Sequence, residues 1–232
     1  MANGDLGSII FGWVGTGLAL IFYIVPIVPF LKVIKGEMTW KQSPGVLLLC
    51  SFLNCILWSD YGLITDQFSI YFANGIGGTI TLIFITIFLI HVADRKILLS
   101  LFYNFFLICC IVEIYFIFYY LVPHKVTGVI ANVFNVLMYA APGEKIYQIC
   151  KGASYTLIPI WSTIGGTACS ACWMCYGIYQ QDKIVIIPNA LGVAASIVQI
   201  IVFIIYRQKQ KNNPKTEPAT EPATENVEAP KE

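Results

Sequence analysis

Long apolar runs broken by short polar stretches dominate the chain, and none shows the strict alternation of a half-buried strand. Seven runs are expected to be membrane spans: about 8–30, 44–64, 69–92, 97–121, 127–149, 157–179 and 184–206. Each is close to the ~20 residues that a helix needs to cross ~30 Å of hydrocarbon. The pattern therefore predicts an all-α membrane protein. Basic residues between the runs set its direction. Lys32, Lys35 and Lys41 follow the first run, Arg95 and Lys96 the third, Lys145 and Lys151 the fifth, and Arg207, Lys209 and Lys211 the last. Lys125 and Lys183 lie on the opposite side. The positive-inside rule then puts the N-terminus outside and the C-terminus in the cytoplasm. The first run lacks a basic n-region and a small-residue cleavage site, so it reads as a span and not as a leader.

A second pattern is laid over the first. Tyr23-x-x-Pro26, Lys35-Gly36, Trp58-x-x-Tyr61-Gly62 and Asn74-x-x-Gly77 return as Tyr139-x-x-Pro142, Lys151-Gly152, Trp173-x-x-Tyr176-Gly177 and Asn189-x-x-Gly192. The separation of Trp58 from Asn74 equals that of Trp173 from Asn189. So many residue types at matched offsets indicate an internal duplication. Spans one to three carry the first copy and spans five to seven the second. Three helices reverse the chain's direction, so a fourth, unrepeated crossing is needed to insert the second copy the same way up. The expected organisation is a first three-helix repeat over 1–92, a linker helix with its loops over 93–126, a second repeat over 127–207 and a disordered tail over 208–232. The two repeats are then parallel, about an axis along the membrane normal. The tail repeats Glu-Pro-Ala-Thr and is too polar to bury a core.

Composition agrees and narrows the function classes. Hydrophobic residues make up 57% of the chain and charged residues 12%, with a mean hydropathy of +0.73. No basic patch with interleaved aromatics points to nucleic acid. The 8 cysteines lie in or at the ends of the runs and read as small packing residues. Cys169-x-x-Cys172-x-x-Cys175 falls within a helix, without a nearby His, so no metal, cofactor or disulfide is assigned.

Depth gives the repeated residues a function. Trp58 is about six residues from the outer end of its span and Asn74 about five from the outer end of its own, roughly 8–9 Å at helical rise. Trp173 and Asn189 repeat this. Two Trp and two Asn facing the pseudo-two-fold axis would form a chamber without a full charge. Carboxamides supply donors and acceptors that match hydroxyls of either polarity, and indole faces pack on the C–H face of a pyranose. The expected ligand is a neutral polyhydroxy molecule. Pro26, Pro142, Pro159 and Pro188 fall inside spans and Pro44 near the start of the second, as candidate hinges. Asp60, near an outer span end, is expected to reach interfacial water. Glu113, deeper in span four, is read as structural.

These residues resemble the SWEET (MtN3/saliva) sugar transporters. The resemblance runs over about 8–207. It is carried by Leu53-Asn54-Cys55-Ile56-Leu57-Trp58-x-x-Tyr61-Gly62-Leu63, Asn74-Gly75-Ile76-Gly77, Met138-Tyr139-Ala140-Ala141-Pro142, Trp173-x-x-Tyr176-Gly177 and Pro188-Asn189-Ala190-Leu191-Gly192. It implies facilitated diffusion of mono- or disaccharides by two three-helix bundles joined by a linker helix. It also implies that Asn74 and Asn189 bind the sugar, that Trp58 and Trp173 flank it, and that Phe22, Asn54, Met138 and Cys169 shape the pocket. Phe22 and Met138 are bulky, which favours a monosaccharide such as glucose. Tyr61 and Asp182 match an outer gate, and Pro26, Pro142 and Pro159 an inner hinge. The fourth hinge position falls near Leu47, three residues from Pro44. Asp60 and Lys151-Gly152-Ala153-Ser154 depart from the family pattern.

Other classes fit less well. No Asp-Arg-Tyr or Asn-Pro-x-x-Tyr sequence of a signalling receptor occurs, and no Pro-Gln dipeptide of a PQ-loop exporter. A PQ-loop-superfamily carrier or cargo receptor for a non-sugar ligand is the alternative. An enzyme would need a catalytic set, and neither His91 nor His124 lies in a span core. The expected partners are a small neutral sugar and the lipid bilayer, with a homo-oligomer open. The plasma membrane is the expected location and an endomembrane the alternative. Uniport without ion coupling follows from a chamber that lacks a proton-cycling acid.

Overall fold

A computed structural model of the chain describes residues 6–25, 27–37, 45–91, 100, 124–138 and 140–212. Every long element among them is a helix: α1 Leu6–Ile24, α2 Ile27–Ile34, α3 Gly45–Ile64, α4 Phe68–His91, α5 His124–Met138, α6 Ala140–Cys150, α7 Ile160–Tyr179 and α8 Lys183–Asn212, with a 3-10 turn at Tyr155–Leu157. The fourth span, Glu113, Pro26, Pro44 and residues 213–232 lie outside the described residues, as does the side chain of Met138.

The helices are apolar on all sides, so their outward faces stay apolar too. On α8, Ile187, Leu191, Val198, Ile201 and Ile205 are all about half exposed and follow helical spacing down one side. Water would not tolerate such a stripe on a monomer, whereas lipid acyl chains do. By length and apolarity Leu6–Ile24, Phe68–Phe88 and Lys183–Asn212 each suffice to cross a membrane, and Leu48–Ile64 is a shorter apolar helix. Span one consists of two helices, α1 and α2, parted by a turn at Val25, and span five is described as α5 and α6 on either side of residue 139. Span seven runs beyond its expected end at 206 to Asn212. Its last residues are good helix formers, and Lys209 and Lys211 suit the negative end of the helix dipole. Gln210 ties this end to the preceding loop, donating to the Ala153 carbonyl at 2.9 Å and accepting from the Tyr155 N–H at 3.2 Å.

Within each half the third helix packs between the other two: α4 against α3 and α1, α8 against α7 and α5. Between halves, α1 packs on α7 and α3 on α5. A pseudo-two-fold rotation that exchanges α1 with α5 and α3 with α7 turns one contact into the other.

The turns obey the same symmetry. Lys35-Gly36 and Lys151-Gly152 end α2 and α6, with both glycines in the left-handed region (φ 74 and 108). The Glu37 N–H donates to the Lys32 carbonyl and Ala153 to Gln148, at 2.8 and 3.0 Å, the long bond of a Schellman cap that a glycine makes possible. The α3–α4 and α7–α8 turns repeat this closure, Gln67 N–H to Gly62 carbonyl and Asp182 N–H to Gly177 carbonyl, each at 2.8 Å. Here Asp66 (φ 55) and Gln181 (φ 53) occupy the left-handed positions.

The prolines differ from expectation. Pro159 is the N-cap of α7 and lies outside the helix. It interrupts no ladder. Pro188 does, inside α8, and its missing N–H leaves the Ile184 carbonyl without its helical donor. Asn132 of α5 fills that place, donating its Nδ2 at 3.1 Å.

A buried cluster of Leu57, Trp58, Tyr61, Ile70, Tyr176 and Val185 joins the two halves at the end that carries the α3–α4 and α7–α8 turns. A second cluster, Leu48, Phe84, Ile85 and Phe88, stabilises the other end of the first half.

Candidate functional site

Between the halves lies a cavity of about 290 Å³, at the low end of the ~300–1,000 Å³ typical of small-molecule sites. Trp58 and Trp173 line it from α3 and α7, and Asn74 and Asn189 from α4 and α8. Phe22 of α1, Asn54 of α3 and Cys169 of α7 line it as well. Seven of the eight residues expected to bind substrate thus meet in one space. Met138, the eighth, ends α5.

Each repeated residue is held by another residue of the repeat. Trp58 stands edge-on to Tyr61 with ring centroids 5.6 Å apart, and Trp173 to Tyr176 at 5.5 Å. Asn74 Nδ2 donates to the Ile70 carbonyl and Asn189 Nδ2 to the Val185 carbonyl, both at 2.8 Å. Each carboxamide is therefore fixed by its own helix, with its second N–H still to give. On Asn74 the oxygen accepts from the Tyr23 hydroxyl at 3.2 Å. Tyr23 reaches that position because Gly77 has no Cβ, which would overlap the tyrosine ring. The Tyr, Asn and Gly of the motif are parts of one contact.

At the turn end stands a small polar cluster centred on Asp182. Its Oδ2 accepts from the Tyr61 hydroxyl at 2.7 Å and from Gln67 Nε2 at 2.6 Å. Its Oδ1 accepts from the Ile184 N–H at 2.9 Å and the Val185 N–H at 3.4 Å, capping α8. The carboxylate is bound to both halves at once.

Sequence reasoning missed Gln67, Asn135, Ser51 and Ser170. Gln67 was legible as the position in the first repeat that corresponds to Asp182. Asn135 was legible as an amide in an apolar run, one turn before Met138. Asp60 needs a correction. It is buried, 4% exposed, and does not reach interfacial water, because α3 and α4 pack closely along their length. With Ser59 it lines a second cavity, of about 340 Å³, behind Asn74.

The first cavity contains amides, hydroxyls, a thiol and aromatic faces, with no carboxylate or cation among the described residues of its lining. It suits a small, neutral, hydrogen-bonding molecule with an apolar face. An apolar helical bundle built from two rotated copies, with such a cavity on the axis between them, is a membrane transporter and not an enzyme.

The comparisons agree. A family model described as "Sugar efflux transporter for intercellular exchange" matches residues 9–96 and again 125–211, one stretch in each half. The bidirectional sugar transporter SWEET1a of Sorghum bicolor is 30% identical over 86% of this chain and 77% of its own length. SWEET7 of Arabidopsis thaliana, also described as a bidirectional sugar transporter, is 26% identical over 87% of this chain and 81% of its own. A sugar transporter, SWEET1 of Drosophila pseudoobscura pseudoobscura, is 26% identical over 75% and 79%. The solved structure of a eukaryotic SWEET transporter superposes with a TM-score of 0.80 at 23% identity, covering 88% of this chain and 98% of that one. The chain belongs to the SWEET (MtN3/saliva) family of membrane sugar transporters and has its all-α fold.

Proposed function

We propose that this protein is a bidirectional uniporter for a neutral hexose such as glucose, working by alternating access. The observation that carries this reading is the duplicated pair of amides and indoles around one small uncharged cavity. Asn74 and Asn189 hydrogen-bond ring hydroxyls with the N–H that their own helices leave unused. Trp58 and Trp173 pack on the sugar's C–H faces. Asp182, with Tyr61 and Gln67, is the outer gate, and the closed turn end faces outside in the plasma membrane. The gate opens when Tyr61 and Gln67 release the carboxylate, while the backbone donors of α8 keep it solvated. Pro159 marks where α7 begins, at the opposite end, and with Pro142 it acts as a hinge for the inner side. Neutral cargo and an uncharged lining give the membrane potential nothing to pull on directly.

Labelled glucose in proteoliposomes tests this. Glucose should equilibrate across the bilayer in either direction, and imposed pH gradients or voltages should produce no accumulation. Well-folded protein that moves none of glucose, fructose, galactose and sucrose would contradict sugar transport. Proton-driven accumulation abolished by Asp60→Asn would contradict uniport and make Asp60 the coupling site.

A further inference from the structure

The pseudo-two-fold rotation assigns every cavity residue a counterpart, and the amides of the lining break that symmetry in one direction. Ser51 and Asn54 on α3 correspond to Gly166 and Cys169 on α7, and Asn135 on α5 corresponds to Ala19 on α1. Because α3 packs on α5 and α1 on α7, the three polar members share one wall and the three smaller or less polar members share the other. Phe22 also lines the α1–α7 wall. The Cys169 thiol on that wall is directed at the Gly15 carbonyl, 3.8 Å away, so its proton is already engaged. Ser170 is the hydroxyl on that side. On the polar wall, Asn54 Oδ1 is buried without a protein partner. Asn132, one turn before Asn135, is committed to the Ile184 carbonyl, whereas Asn135 lines the cavity.

We infer that the α3–α5 wall is the recognition face of the cavity, with Asn135 a sugar-binding residue beside Asn54, so that the sugar is held in one orientation despite the two-fold frame. The inference rests on the hexose reading above. A pyranose presents hydroxyls around its edge and C–H groups on its faces. The amides of Asn54 and Asn135 offer donors and acceptors to adjacent hydroxyls on one edge. The opposite edge lies toward Ala19 and Phe22. Asn74 and Asn189 hold the sugar from both halves, and the polar wall decides which way round it sits.

The repeat itself supplies the test substitutions. Asn135→Ala and Asn54→Cys each install the residue found at the two-fold position. Binding of glucose and of 2-deoxy-, 3-deoxy- and 6-deoxyglucose to the purified full chain is measured by quenching of tryptophan fluorescence. Asn135→Ala should weaken glucose by about 2–10-fold, as expected for loss of one neutral hydrogen bond. At least one deoxy analogue that binds worse than glucose to the wild type should bind Asn135→Ala as well as glucose does, because the hydroxyl it lacks has lost its partner. Asn135→Gln should recover part of the glucose affinity. A purely structural Asn135 would lower all sugars in parallel and keep their ranking. Unchanged glucose affinity in Asn135→Ala, or a parallel fall with the wild-type ranking kept in both Asn135 variants, overturns the inference and leaves sugar transport standing. A wild type that binds no sugar overturns both.

Discussion

In the first half the Gln67 N–H closes on the Gly62 carbonyl, Trp58 stands edge-on to Tyr61, and Asn74 donates to the carbonyl one turn before it. In the second half Asp182, Gly177, Trp173, Tyr176 and Asn189 do the same at nearly the same distances. The halves part company where side chains face each other across the axis. The polar cluster at the turn end pairs a glutamine from one half with an aspartate from the other, and the cavity sets Asn54 against Cys169 and Asn135 against Ala19. Backbone closure, indole and axial amide are kept in duplicate. The difference lies in the groups that meet a partner unlike themselves: a carboxylate needs donors opposite it, not a second carboxylate. In the proposed alternating access the symmetric frame would supply the motion and the asymmetric side chains closure and orientation.

The largest expected effects test the shared part. Asn74→Ala and Asn189→Ala should each cut hexose uptake strongly, by ~10-fold or more, because a hydroxyl left unpaired in a desolvated site costs about 1–3 kcal/mol. Uptake into proteoliposomes measures it. A loss confined to one half would break the equivalence of the two amides. At the gate, Asp182→Ala removes the acceptor of Tyr61 and Gln67 together with the cap of α8. It should lower thermal stability, with the cap alone contributing about 1 kcal/mol, and leave the outer side more reachable by polar thiol reagents at an introduced cysteine. The exchange of Gln67→Asp with Asp182→Gln should recover much of that closure, since it moves the carboxylate to the corresponding position.

Smaller effects sharpen the difference between the third helices. Pro188 in α8 corresponds to Ala73 in α4, and Asn132 is the side-chain patch for the carbonyl that Pro188 leaves open. Asn132→Leu should destabilise the protein by about 1–2 kcal/mol. In a Pro188→Ala background the same change should cost much less, because the restored N–H serves Ile184. Thermal unfolding of the four variants in detergent gives the coupling. The smallest effect lies in the turns. Gln181→Gly should raise stability by up to about 1 kcal/mol, because relief of the ~1–2 kcal/mol left-handed strain outweighs glycine's extra freedom in the unfolded chain. Asp66→Gly should gain less, because aspartate tolerates that region better.

Much of this was legible in the sequence, for reasons that show in the contacts. The repeated Tyr, Trp, Asn and Gly touch one another, so their spacing records geometry as well as ancestry. Residues whose partners lie in the other half left no periodic trace. Gln67 looks like any loop glutamine until the repeat places it opposite Asp182. Asn132 and Asn135 differ by one helical turn, yet one patches a backbone gap and the other lines the cavity, a distinction set by what α8 presents to α5. Asp60 was misread because distance from a span end measures depth along the helix and not which face is covered. Pro159 was read as a kink, because the hydropathy run continues through it although α7 begins there.

The central claim is that substrate sits on the axis between the halves, held by both. Equilibrium binding of labelled glucose to the purified protein tests it most directly, in the wild type and in Asn74→Ala and Asn189→Ala, with thermal unfolding confirming that all three are folded. The account predicts saturable binding to the wild type that weakens by ~10-fold or more in each variant. Binding of wild-type strength in both variants would contradict it and put the sugar elsewhere in the molecule.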